Sequence, residues 1–172
     1  MKLNYEEAVL RHKDTVYRIA FARCPCKQDA EDVFQEVFLK LYRCRKDFES
    51  DEHLRNWLIR VTLNFCKLLH RSAFFRKKAA LVDTIADTAA GNILTADNSP
   101  DRETAEAVTA AVKALPEKYA APIELFYFEE MSCREISAAL KINEATVRTR
   151  LRRGREALKK KLKTELEVSD DE

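Results

Sequence analysis

Glycine occurs only twice and proline four times in 172 residues, so the chain has little of the material from which tight turns are made. Runs of β-branched residues are scarce too, which argues against a sheet protein. With 35% of the residues charged and helix formers abundant, an all-helical fold is expected. No apolar run approaches the roughly 20 residues that a membrane-spanning helix needs. The opening MKLNYEEAVLRHKD is charged where a secretory signal would be apolar. The expectation is a cytoplasmic protein without a membrane span. At 46% hydrophobic residues, one or two small domains can each have a modest core.

The sequence also lacks a site for covalent chemistry. Its five cysteines, Cys24, Cys26, Cys44, Cys66 and Cys133, are odd in number, and no second Cys or His pair stands near Cys24-Pro25-Cys26 at zinc spacing. A metal or redox role for that pair is weighed against an incidental turn between helices, and the turn is preferred. His12, His53 and His70 share no evident Ser, Cys or metal partner. No catalytic residue, metal or cofactor is expected, and the protein is not read as an enzyme.

What is present is concentrated at Ser132 to Lys163, SCREISAALKINEATVRTRLRRGREALKKKLK. Ser132 and Glu135 have the spacing of a capping box, opening a short helix with Ile136, Ala139 and Leu140 on its apolar face. Asn143 caps the next helix, whose Val147, Leu151, Gly154, Leu158 and Leu162 fall on one face. Between Lys141 and Lys163 ten Lys/Arg stand against two acids, a local charge of +8 that leaves −6 for the rest of the +2 chain. A short helix, a three-residue turn and a longer basic helix make a helix-turn-helix, whose second helix enters the DNA major groove. Glu144, Ala145, Thr146, Arg148 and Thr149 are placed to face bases, and Arg152, Arg153 and Arg155 to meet phosphates. The competing reading is a solvated charged helix. The shortage of balancing acids and the capped helix before it weigh against that.

Upstream, a helix is predicted from Tyr5 to about Arg23, capped by Asn4 and broken by Pro25. A second, Lys27 to about Lys46, has the stripe Ala30, Val33, Phe34, Val37, Phe38, Leu41 and Tyr42. Asp29, Glu31, Asp32, Gln35 and Glu36 make its first half acidic, while Lys40, Arg43, Arg45 and Lys46 make its second half basic. That gradient suits the helix dipole, so it does not by itself imply a partner. FESDEHL reads as an exposed loop carrying one aromatic, followed by a helix from Leu54 to about Phe75 with Arg60, Asn64, Lys67 and Arg71 outward. From His53 to Lys78 seven Lys/Arg occur with no acid, near Trp57, Phe74 and Phe75, a composition that suits a nucleic-acid backbone. Most of those aromatics are expected in the core.

An acidic, turn-bearing stretch at residues 81–103 is predicted to be a flexible linker, with weak helical pieces near Leu81 to Ala86. Residues 104–166 then form a second domain of four helices ending in the helix-turn-helix, and 167–172 a disordered tail. In that domain Pro116 suits the first turn of a helix running to about Glu129, and Pro122 is expected to bend it or set its start.

The order of these parts, DAEDVFQEVFLKLYRCRKDF, a loop, NWLIRVTLNFCKLLHR, a linker and ALPEKYAAPIELFYFEEMSCREISAALKINEATVRTRLRRGREALKKKL, resembles the extracytoplasmic-function group of bacterial RNA polymerase sigma factors. The likeness covers about residues 5–78 and 104–163. It implies that residues 1–80 dock on the clamp of core polymerase through Asp29, Asp32, Gln35 and Glu36. It also implies capture of the melted minus-ten element by Phe48, Glu49 and Ser50 in the loop and by Asn56, Arg60, Asn64 and Lys67 on the helix after it. Glu144, Thr146, Arg148, Thr149, Arg152 and Arg153 are then the residues on the helix that reads the minus-thirty-five element. Core polymerase, promoter DNA and an anti-sigma factor are the implied partners, and no stable homo-oligomer is expected. Lys141 stands where the family often has glycine, which requires either a looser turn or a left-handed lysine. Two other classes fit the residues less well: a DNA-binding regulator that uses Lys27 to Lys46 as a dimer helix, and a module that binds protein through its basic helices.

Overall fold

The computed structural model describes residues 4–44, 46–79 and 101–169, and among them every regular element is a helix. The helices fall into two compact units, one on each side of the undescribed stretch.

The first unit holds α1 (Tyr5–Arg23), α2 (Lys27–Arg43) and α3 (Asp51–Ala79), each packed on the other two. Asn4, in an extended conformation, opens α1 by accepting the Glu7 amide at 3.4 Å. Glu6 and Glu7 lie in its first turn and Arg23 in its last, a charge order that complements the helix dipole. Cys24 is extended and Pro25 cannot continue the hydrogen-bond ladder, so Cys24 to Cys26 form the turn between α1 and α2. The core is a continuous cluster including Val16, Ala20, Val33, Val37, Leu41, Leu54 and Leu58. Two ties reinforce it: the Tyr5 hydroxyl donates to the Phe38 carbonyl at 3.2 Å, and His70 Nε2 lies 2.6 Å from the Arg23 carbonyl.

The loop between α2 and α3 is shorter than the sequence pattern indicates. Ser50 caps α3, its hydroxyl accepting the His53 amide at 3.1 Å and its carbonyl the Leu54 amide at 3.1 Å. Asp51, Glu52 and His53 are therefore helical, and only residues 46–50 remain as described loop before α3.

The second unit holds α4 (Asp101–Lys113), α5 (Glu117–Tyr127), α6 (Cys133–Leu140) and α7 (Glu144–Ser169). Pro116 stands one place before α5 as its N-cap, while Pro122 is buried inside the helix and does not set its start. Without an amide hydrogen, Pro122 leaves the Lys118 carbonyl without its usual helical donor. On α7, Val147 and Leu151 are fully buried, but Leu158 and Leu162 are only half-buried, so the apolar stripe is covered only in its first half. α7 continues through residues 167–169, which were expected in a disordered tail. Of the expected linker, 101–103 form the first turn of α4, and the remainder, with the helical pieces near Leu81 to Ala86, lies outside the described residues.

Candidate docking and nucleic-acid surfaces

On α2 the buried positions Ala30, Val33, Val37 and Leu41 turn the acidic residues outward. Asp32, Gln35 and Glu36 are exposed and Asp29 is half-buried, so all four share one flank of the helix. Gln28 Nε2 donates to Asp32 at 3.4 Å, and Lys27 pairs with Glu31 at 3.7 Å. Such solvent-facing contacts are weak and readily exchanged for a partner. The flank continues into Leu39 and Tyr42, which are 42% and 71% exposed.

The loop after α2 differs from the sequence-based expectation in its aromatic. Phe48 is wholly buried, its ring 5.5 Å from those of both His53 and Trp57, so it anchors the loop from below and does not project into solvent. An isolated aromatic in the polar stretch FESDEHL suggests display, and the pocket that receives it comes from α3. Glu49 and Ser50 are the exposed residues, and the Glu49 amide points at His53 Nδ1 at 3.4 Å. Asn56 is buried as well, one turn below half-buried Arg60; Asn64, Lys67 and Arg71 are exposed and complete the basic face of α3. Burial pulls the Arg60 pKa down from its usual value. Arg45 and the side chains of Phe74 and Phe75 lie outside the described residues.

At the start of α3, Asp51 receives Arg11 at 2.9 Å and buried His12 at 3.0 Å, both from α1. Burial alone would raise the Asp51 pKa, but the hydrogen bonds from His12 and Arg11 outweigh it and hold the carboxyl below its ordinary value. Nothing local in the sequence joins these residues, which are 39 or more positions apart.

In the second unit the capping box is complete: the Ser132 amide donates to Glu135 at 2.7 Å and the Glu135 amide to the Ser132 hydroxyl at 3.3 Å. The turn closes on Lys141, which adopts φ 54°, ψ 44°, the left-handed conformation that its place in a glycine-favouring turn demands. Ser137 has a specific function there, since its hydroxyl donates to the Ile142 carbonyl at 2.6 Å. Asn143 accepts the Thr146 amide at 3.1 Å and starts α7.

Along α7, Arg148, Thr149, Arg152 and Arg153 are exposed, and Glu144 and Thr146 are half-buried at its N-terminal end. Arg148 pairs with Glu144 and Arg152 with Glu156, both as exposed i,i+4 contacts. Pairs of this kind hold little free energy and give way to a phosphate. Arg155 is turned elsewhere, over the rings of Phe126 and Tyr127 on α5 at 5.6 and 5.9 Å, so it braces the two helices. Sequence reading missed Lys118 and Tyr119 of α5, which line a cleft with Thr146, Thr149, Arg150 and Arg153. The signal in the sequence was Gly154: a Cβ there would stand 2.9 Å from Ile123 Cγ1 and 3.5 Å from Tyr119 Cβ, so glycine lets α7 lie close on α5.

A helical bundle with an acidic flank and a basic helix, followed by a capped helix-turn-helix, defines a two-part helical DNA-binding protein. Comparison with known proteins narrows the class. The family described as Sigma-70 region 2 matches residues 8–74, and that described as Sigma-70, region 4 matches residues 105–158. The ECF RNA polymerase sigma factor SigW of Bacillus subtilis is 29% identical over 159 residues, covering 88% of this chain and 85% of that protein. SigE of Mycolicibacterium smegmatis is 30% identical over 162 residues, covering 91% of this chain and 60% of that protein. Among solved structures, CnrH in complex with the cytosolic domain of CnrY has a TM-score of 0.67 at 26% identity, over 93% of this chain and 88% of that one. The sigma factor RpoE in complex with the anti-sigma factor NepR from Bartonella quintana shares the fold, with a TM-score of 0.68 at 18% identity over 92% and 96% of the two chains. The chain belongs to the extracytoplasmic-function group of RNA polymerase sigma factors.

Proposed function

We propose that this sigma factor divides its work between its two units. The first, residues 1–80, binds core polymerase and the melted minus-ten element, and the second, residues 104–166, reads the minus-thirty-five element. Asp29, Asp32, Gln35 and Glu36 form the docking flank, where carboxylates steer association with a basic helical partner and fix its register. Glu49 and Ser50 border the pocket for an unstacked base. Phe48 positions that loop from the core, and Arg60, Asn64 and Lys67 carry the strand along α3. Thr146, Arg148 and Thr149 approach base edges, with Glu144 at the start of the helix, and Arg152 and Arg153 hold phosphates.

The work is done by binding energy without a covalent step, and the protein is not an enzyme. Unpairing the minus-ten bases costs a few kcal/mol, which pockets for the flipped bases and phosphate contacts offset. No described helix is long and apolar enough to cross a membrane, and the site of action is the cytoplasm, with core polymerase. An anti-sigma factor restrains the protein; a sigma factor that shares this fold has been solved in complex with an anti-sigma factor.

The observation that carries this reading is the pairing of an exposed carboxylate flank in one unit with a capped, exposed basic helix in the other. Purified protein added to core polymerase on a library of promoter fragments should generate transcripts that require both. Binding to palindromic duplex without core, with repression as the sole outcome, would replace this reading with that of an ordinary DNA-binding regulator.

A further inference from the structure

The cleft between α5 and α7 is concave, ≈ 380 Å³, and carries cations from two helices. Lys118 and Tyr119 belong to the first turn of α5, Arg150 and Arg153 to the second and third turns of α7, and no acid lines the space. Its α7 wall, Thr146, Thr149 and Arg153, recurs at spacings of three and four, so it is one flank of the helix placed in the major groove. A duplex seated on that flank brings one strand of its backbone to the mouth of the cleft. The Lys118 ammonium lies 4.9 Å from the centre of the Tyr119 ring. Desolvation would raise the Tyr119 pKa, but the neighbouring Arg153 and Lys118 cations outweigh it and lower it. The close approach at Gly154 sets the spacing of the two walls beside Tyr119.

We propose that Lys118, Tyr119, Arg150 and Arg153 form a seat for one phosphate of the DNA backbone, so that α5 as well as α7 grips the upstream promoter element. This rests on the reading of α7 as the promoter helix. Lys118 and Arg150 supply the charge, while Tyr119, in the cleft wall beside Lys118 and Arg153, acts as a positioning group. A phosphate contact carries no sequence information, so its effect is uniform across sequences and dependent on salt.

The test uses the full chain and short duplexes of mixed sequence, with affinity measured across a salt series. Lys118→Gln with Arg150→Gln should weaken binding several-fold and reduce the slope of log affinity against log salt by about one, the value for one released phosphate contact. Lys118→Arg should restore most of what Lys118→Gln alone removes. Tyr119→Phe retains every charge, so affinity should fall while the slope stays constant. Helix content and melting temperature of each variant check that the unit is folded. An unchanged slope in the double variant, with Arg152→Ala still lowering it, would overturn the phosphate seat and leave the promoter helix standing. If neither variant altered the slope, the assignment of α7 itself would fall, and the seat with it.

Discussion

Two residues show how a single side chain sets a local conformation. Lys141 occupies a left-handed turn at an energetic cost of about 1–2 kcal/mol relative to ordinary backbone regions. It is held there by its own amide bonding the Ser137 carbonyl and by the Ser137 hydroxyl bonding Ile142. Lys141→Gly should remove the steric part of that cost and return some of it as unfolded-chain entropy, for a net gain of about 0.5 kcal/mol in denaturant titration. A destabilised variant would mean that the lysine side chain makes a contact worth more than the strain. Asp51 makes a pH argument. Its folded pKa lies below the ordinary 3.8, so its contribution is present above that value and fades as pH falls through the folded one. The stability difference between the natural chain and Asp51→Asn should therefore shrink steadily below about pH 4. Because Asp51 is 41% exposed the effect will be modest, and a difference that stayed constant down to pH 2 would show that the ion pair is not its source.

Among the elements, α2 is the one whose outer face has no structural reason to be so acidic beyond its first turn. Reversing charge at Asp32→Arg and Glu36→Arg leaves Val33 and Val37 in the core, so the helix should form normally while core-polymerase affinity falls at least tenfold. Unchanged affinity in a competition assay would move the docking surface elsewhere. The helix boundaries set by local chemistry were legible in the sequence: Asn4 and Pro25 bound α1, Ser132 with Glu135 opens α6, and Asn143 opens α7. Features made by a second element were not. Phe48 alternates with polar residues and carries no mark of its pocket, because Trp57 and His53 reach it from the next helix. The α3 helix begins three residues before Leu54, the start that the pattern suggests, because a serine cap inside FESDEHL is indistinguishable from loop composition until its amide partners are seen. Asn56 shares a helical row with Arg60, yet lies buried where α3 meets the bundle, a difference of depth that spacing cannot report. The α5 side of the cleft escaped for the same reason: Lys118 and Tyr119 are adjacent residues, and contacts between helices, the close approach at Gly154 among them, bring them to α7.

Across the whole molecule, positive charge is gathered at two places that belong to different units, α3 and α7, and the proposed function assigns them two steps of one process. Between Lys141 and Lys163 the local charge is +8, sufficient to draw duplex DNA in before any base is unpaired. The cations of α3, Arg60 and Lys67 among them, lie on the same helix that Ser50 of the loop at 46–50 caps, and on the proposed function they meet a single strand that exists only after melting. Arg152→Ala should thus slow formation of the first polymerase–promoter complex and flatten its salt dependence, while any complex that does form should open at the normal rate. Arg60→Ala should do the reverse. Duplex capture should be unchanged, but the equilibrium between closed and open complexes should shift toward closed several-fold, seen as reduced permanganate reactivity of unpaired thymines. Because Arg60 is half-buried and its loss could loosen α3, Lys67→Gln, at an exposed position two turns further along the same face, is the companion measurement. If both α3 variants impaired capture and opening equally, the two cationic surfaces would be acting on the same stretch of DNA, and the division between the units would be wrong.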